Sequence, residues 1–190
     1  NNDIPGFHNL KILSFDRLGF WLDGKSSAGA ELSKIARQMV VDRLLRANKD
    51  KLKIFDKAAD LPGTAAKLAG VITELHECAV SLEDIHELNA RLSKDQPNSI
   101  TTLKYSDISI IFQKYLEFIQ DNENNFINPD ARLSNACSKV AGAEFLKKAV
   151  IWVDGFASFT MQQQQLLAQI LKASSEAEIA LCLDPSKINI

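Results

Sequence analysis

Ala149-Val150-Ile151-Trp152-Val153 is an unbroken apolar run, and Asp154-Gly155 ends it. The run is too short for a buried helix and lacks the polar alternates of a half-wet strand, so it predicts a strand buried on both faces of a parallel sheet. Ala177 to Leu183 (AEIALCL) has the same form and ends in Asp184-Pro185. Between the two, Thr160 and Gln163 make a capping box for a helix reaching about Lys172, which completes a strand, helix, strand unit. Near the other end, Leu10 to Ser14 (LKILS) alternates as a short strand and runs into helical spacing over Phe15 to Leu22.

What lies between reads as helix. Eight Gly and five Pro in 190 residues leave little turn chemistry. After the small-residue loop Gly24 to Ala30, the spacing of Leu32, Ile35, Ala36, Met39, Val40 and Leu44 predicts a helix to Ala47. Lys51 to Ala59 reads as a short helix stopped by Leu61-Pro62-Gly63. Thr64 then caps Ala65 to Cys78, and Ser81 caps a helix to about Leu92. Past the breaker KDQPNS (Lys94 to Ser99), Leu103, Ile108, Ile111, Phe112, Tyr115, Leu116 and Ile119 mark a helix buried on one side. Asn128-Pro129 opens another helix, broken near Gly142, and a short one spans Ala143 to Lys148. The expected fold is therefore α/β and predominantly helical. Residues 1–30 and 149–190 form parts of a parallel layer, and residues 31–148 form a helical insertion.

Twenty-two bases against 24 acids give a net charge of −2, so bulk charge does not hold nucleic acid. No apolar run approaches the length of a membrane span. Cys78, Cys137 and Cys182 are odd in number and contain no CxxC spacing, which fits reduced thiols and a cytoplasmic location. Asn1 is neither an initiator Met nor the start of a signal-peptide pattern, so the chain reads as a piece of a longer protein.

Asp154 and Asp184 both follow buried strands. A carboxylate there has the form of a Walker B acid, able to reach a metal on a nucleotide, although an acid at a strand end is commonly only a turn residue. Gly19 to Ser26 (GFWLDGKS) matches the bare phosphate-loop pattern GxxxxGKS. It is rejected because Phe20, Trp21 and Leu22 sit in a helical pattern, which turns their amides away from any phosphate. His76-Glu77-Cys78 with His86 lacks the spacing of a metal site, and Cys137 and Cys182 lie in apolar surroundings. From Glu31 to Lys57 eight bases face four acids, a pattern that suits a solvated helix face or a phosphate-tracking surface; from Glu74 to Asp95 six acids face two bases.

Four stretches carry a resemblance. Leu13 to Leu18 (LSFDRL), Leu61 to Ala65 (LPGTA) with Ile72 to Leu75 and Val80-Ser81, Ile151 to Thr160 (IWVDGFASFT), and Ala180 to Pro185 (ALCLDP) resemble the N-terminal part of the B subunit of bacterial ATP-dependent helicase/deoxyribonuclease, the AddB or RexB family. The third stretch is the most specific. The resemblance implies a degenerate superfamily 1 helicase-like sheet (part of domain 1A) with a helical insertion (1B-like). Active relatives read DExQD at the strand end. Here Asp154 keeps the magnesium position, while Gly155 stands where the base Glu would be, Ala157 replaces Gln and Ser158 replaces the last Asp. In the later GDxxQ motif, Asp184 takes the Asp position and Lys187 replaces Gln. Ser14, Phe15 and Arg17 match a segment that lies against single-stranded DNA in active helicases.

The resemblance further implies that DNA is held by an intact subunit, which pairs with an ATP-driven A subunit, resects DNA double-strand ends for recombinational repair and takes part in reading a hotspot sequence. ATP with magnesium and an iron–sulfur cluster belong to that larger assembly. No catalytic residue and no metal ligand is expected within these 190 residues. The rival expectations are an ATPase cut off before its phosphate loop, motivated by Asp154, and a helical protein–protein adaptor.

Overall fold

The computed structural model describes residues 9–23, 30–123 and 126–181. Helix α1 (Phe15–Asp23) is followed by a two-residue strand β1 (Ala30–Glu31), helix α2 (Lys34–Ala47) and a single 3-10 turn (Lys49–Lys51). Helices α3 (Thr64–Glu77), α4 (Leu82–Asp95) and α5 (Ile100–Asp121) come next, then β2 (Phe126–Ile127). A second 3-10 turn (Pro129–Ala131) leads into α6 (Arg132–Val140), a third 3-10 helix (Glu144–Lys148), β3 (Val150–Val153), α7 (Met161–Ala173) and β4 (Glu176–Ile179). The described chain is thus a helix-rich α/β structure with two small parallel pairs, β1 with β2 and β3 with β4.

Local chemistry starts most of these helices. Ser14 Oγ accepts the Arg17 N–H (3.3 Å) and opens α1, and Ser33 Oγ accepts the Ala36 N–H (3.2 Å) for α2. Ser81 and Asp84 form a reciprocal box at α4: Ser81 Oγ accepts the Asp84 N–H (3.1 Å) and Asp84 accepts the Ser81 N–H (2.8 Å). Thr160 and Gln163 do the same for α7. At α3 the cap is Gly63 at φ +86°, one residue before the expected Thr64.

Three expectations are corrected. Leu10 to Ser14 forms no strand, because a strand needs a ladder partner and none lies beside it among the described residues; Ile12 is left 85% exposed. Residues 51–59 form no α-helix. The Asp107 carboxylate of α5, fully buried, accepts the backbone N–H groups of Lys53 (2.9 and 3.0 Å), Ile54 (2.7 Å) and Phe55 (2.9 Å), so donors that a helix would have left free are drawn into a turn. The β3–β4 pair is also not buried on both faces. Ile151 packs against the core that holds Leu166 and Ile170 of α7 and Val153 is buried, whereas Trp152 is 61% exposed and every residue of β4 is exposed, with no helix shown over that side among the described residues.

The apolar residues fall into two cores. One joins α2, α3, α4 and α5 around Val41, Leu45, Ile72, Ile111, Phe112 and Tyr115; the other joins α1, α6, α7 and β3 around Phe15, Leu133, Ala136, Leu146, Leu166 and Ile170. The chain enters the first core through β1 and leaves it through β2, and these pair with each other as a short neck. Beside the neck the cores meet across polar groups. Arg37 pairs with Asp130 (3.1 Å) and donates to Thr73 Oγ1 (2.5 Å), Arg132 pairs with Glu31 (3.0 Å), and Gln162 donates to the Asp130 carbonyl (2.8 Å) and to Ser134 Oγ (3.1 Å).

Two outcomes follow from this packing. Asp107→Ala orphans buried backbone donors and is expected to lower the unfolding free energy in urea by about 3 kcal/mol. His76 lies beside Phe112 and Tyr115, and burial, aided by Arg37, pulls its imidazole down to about 4 from 6.5. Between those values the unfolded chain binds a proton that the folded chain refuses, so stability falls as pH drops through the window and levels off below it. Urea titrations at about pH 7 and pH 5 are expected to differ by about 2 kcal/mol from this group, a difference that His76→Gln removes.

Candidate functional site

The C-terminal rim of β3 carries Asp154, and the loop that follows it meets Phe15 of α1. Val153 is the last paired residue, and its carbonyl accepts the Ala180 N–H (2.8 Å) from the end of β4. Asp154 follows, exposed, with Oδ1 accepting the N–H of Gly155 (2.7 Å). Gly155 takes φ +81°, a left-handed conformation in which an L side chain is strained even though no atom would meet its Cβ within 4 Å. The left-handed turn sends the chain into Phe156-Ala157-Ser158-Phe159, which runs to the α7 cap.

Phe15 meets this loop from the start of α1. Its ring lies 5.2 Å from that of Phe156 and 5.9 Å from that of Phe159, edge-on to both, and the two loop rings are 5.3 Å apart. Edge-to-face contacts of this kind add to the area they bury. The LSFDRL and DGFASFT stretches are therefore joined by one aromatic cluster. Phe15 is buried within it, while Ser14 and Arg17 stay exposed on the adjoining turn of α1. Asp184 lies outside the described residues.

Residues 19–23 of the bare GKS pattern lie within α1, as expected from their helical spacing. Gly19 serves packing instead. A Cβ there would come within 3.1 Å of Arg132 Cγ and 3.3 Å of Leu133, so the missing side chain lets α1 approach α6. Arg132 also lays its guanidinium 3.6 Å over the Phe20 ring. His76 belongs to the first core, His86 is exposed on α4, and no group of three metal-ligating side chains occurs among the described residues. Cys78 is an exposed cap residue of α3, burial pushes the Cys137 thiol up, and Cys182 lies outside the described residues.

The basic stretch after Glu31 is partly used up internally. Arg46 pairs with Asp42 (2.9 Å) and Asp60 (3.3 Å), Lys49 pairs with Asp60 (2.5 Å), and Arg37 is committed to Asp130. One pairing was not anticipated from the sequence. Trp21 of α1 and Phe145 of the third 3-10 helix bring their rings to 4.1 Å, and together they border a surface groove.

A family model described as "ADDB, N-terminal" matches residues 1–189. The chain belongs to the AddB N-terminal family. Among relatives named as the B subunit of ATP-dependent helicase/deoxyribonuclease, it is 32% identical to that of Natranaerobius thermophilus over 188 residues, covering 97% of this chain and 15% of the relative. The proteins of Listeria monocytogenes (30% over 189 residues) and Heliobacterium modesticaldum (28% over 188 residues) are each matched over 98% of this chain, and over 16% and 15% of their own length. This AddB region thus spans about a sixth of the curated relatives it matches. No described helix of it is long and apolar enough to cross a membrane.

If the aromatic cluster ties the two motif stretches of this AddB region together, Phe15→Ala is expected to cost about 3 kcal/mol in urea unfolding. In hydrogen exchange it is expected to loosen residues 156–160 together with the first turn of α1.

Proposed function

We propose that this chain is a non-catalytic part of an AddB/RexB-type subunit, one that provides a DNA path and subunit contacts in an ATP-dependent helicase/exonuclease processing DNA double-strand ends for recombinational repair. The observation that carries the reading is the aromatic cluster described above, in which Phe15, between Ser14 and Arg17 in the chain, packs against Phe156 and Phe159 of the loop that follows Asp154 at the rim of a parallel strand pair. Exposed Ser14 and Arg17 offer a hydroxyl and a cation to a strand of DNA, and buried Phe15 positions them. Parallel pairing of β3 and β4 through α7 supports a degenerate helicase 1A-like body. The separate helical core, entered and left through the β1–β2 neck, supports a 1B-like insertion, which the neck ends near residue 127 and so leaves α6 with the sheet body.

The described residues do not by themselves fit a nucleotide or a cluster. They supply one rim carboxylate, Asp154, a helix where the GKS pattern begins, and no set of cysteines close enough for iron–sulfur ligation. In this reading ATP, magnesium and an iron–sulfur cluster belong to other parts of an intact subunit and its A-type partner. A cytoplasmic site of action accords with this role.

Anisotropy of a labelled single-stranded oligonucleotide at about 50 and 200 mM salt tests the reading. Weak binding that falls at least about tenfold with salt, and that Arg17→Ala weakens several-fold further, is the expected result. An absence of binding at either salt would leave the adaptor reading. Magnesium-dependent ATP hydrolysis abolished by Asp154→Ala would favour an ATPase instead.

A further inference from the structure

We infer that Trp21 and Phe145 form a stacking platform that takes the bases of single-stranded nucleic acid, one helical turn along α1 from Arg17. The inference rests on the DNA-path reading above and adds a base-contacting site to it.

Both rings are large, apolar and outward. Trp21 is 40% and Phe145 43% exposed, although each had the second core available to enter. Their centroids lie 4.1 Å apart at a tilt of 46°, so each holds the other in place at the margin of a groove of about 560 Å³. Gly142, which has no side chain, and Ala143, which has only a methyl group, line the same groove and leave it open. Two neighbouring rings with ring surface left exposed beside an open groove are what unpaired bases stack on, and any base can use them because every base has a π face.

The surrounding charge suits a polyanion. The Lys11 ammonium sits 5.2 Å from the Trp21 ring centroid, and Lys139 lines the groove. Arg17 and Trp21 are four residues apart on α1 and so share a face. Phe145 and Lys148 are three apart on a 3-10 helix and are eclipsed. The groove's carboxylate, Glu144, is taken up by Lys147 (2.8 Å). A strand whose phosphates follow Ser14 and Arg17 would thus find rings flanked by cations one turn farther on. A protein partner recognised by ring burial alone would have no use for those cations.

The test uses the whole chain with Trp152→Phe, which leaves Trp21 as its single indole. A thymidine oligomer of about fifteen nucleotides is added, while anisotropy of a labelled copy reports binding separately. Saturable quenching of Trp21 with the same midpoint as the anisotropy, and a loss of about tenfold in affinity for Phe145→Ala with recovery in Phe145→Tyr, are expected. Should Phe145→Ala lose its helical circular dichroism, Phe145→Leu takes its place with the same expected loss. Binding by anisotropy with Trp21 emission unmoved and Phe145 variants unchanged would overturn the platform and leave the DNA path standing. Equal quenching by heparin, which has no bases, would overturn it as well. No binding by anisotropy at low salt would remove the DNA path, and the platform with it.

Discussion

The arrangement of this chain depends on a buried ion pair between Arg37 and Asp130. Two apolar cores could slide over one another with little penalty, because hydrophobic contact has no direction. Arg37 and Asp130 are each about nine-tenths buried, and their 3.1 Å contact fixes α2 against the residues that follow the neck. The pair is not a simple source of stability. Burial outweighs the attraction of Arg37 and pushes the Asp130 carboxyl up, the signature of a charge that resents leaving water. What it supplies is register, and Thr73 and Gln162 add directional bonds around it from α3 and α7.

The same seam reaches the site. Arg132 begins α6, pairs with Glu31 at the neck, stacks over Phe20 and fills the space that Gly19 leaves open. A shift of the helical core would therefore be felt at α1, whose opposite turn presents Ser14 and Arg17. Structure and proposed function are linked here through the contacts of one arginine side chain.

Features encoded within a few neighbouring residues were legible in the sequence. The cap at Ser81, the box at Thr160, the periodicity of α5 and the helix in place of a phosphate loop at residues 19–23 all follow from spacing alone. Where a distant group decides, local reading failed. Residues 51–59 have helical spacing, yet Asp107 takes three of their amides from 52 to 54 positions away. The β1–β2 neck is two residues per strand, too short for any period to register. At the site, the rim position of Asp154 was legible because apolar strands end where their pattern ends, whereas the Phe15 cluster and the Trp21–Phe145 pair are meetings between segments more than 100 residues apart.

Gly155 bears on why such a rim would be inert. In the proposed reading its position is that of a lost proton acceptor, and the loss could be a matter of one side chain. The backbone argues otherwise. At φ +81° a Glu would carry a strain of about 1 kcal/mol, and the left-handed turn aims the chain so that Phe156 and Phe159 can reach Phe15. Relaxing residue 155 to suit a carboxylate would pull those two rings off the cluster that sets Ser14 and Arg17 in place. A base at this position and the aromatic anchor are thus competing uses of the same turn, and this chain is built for the anchor.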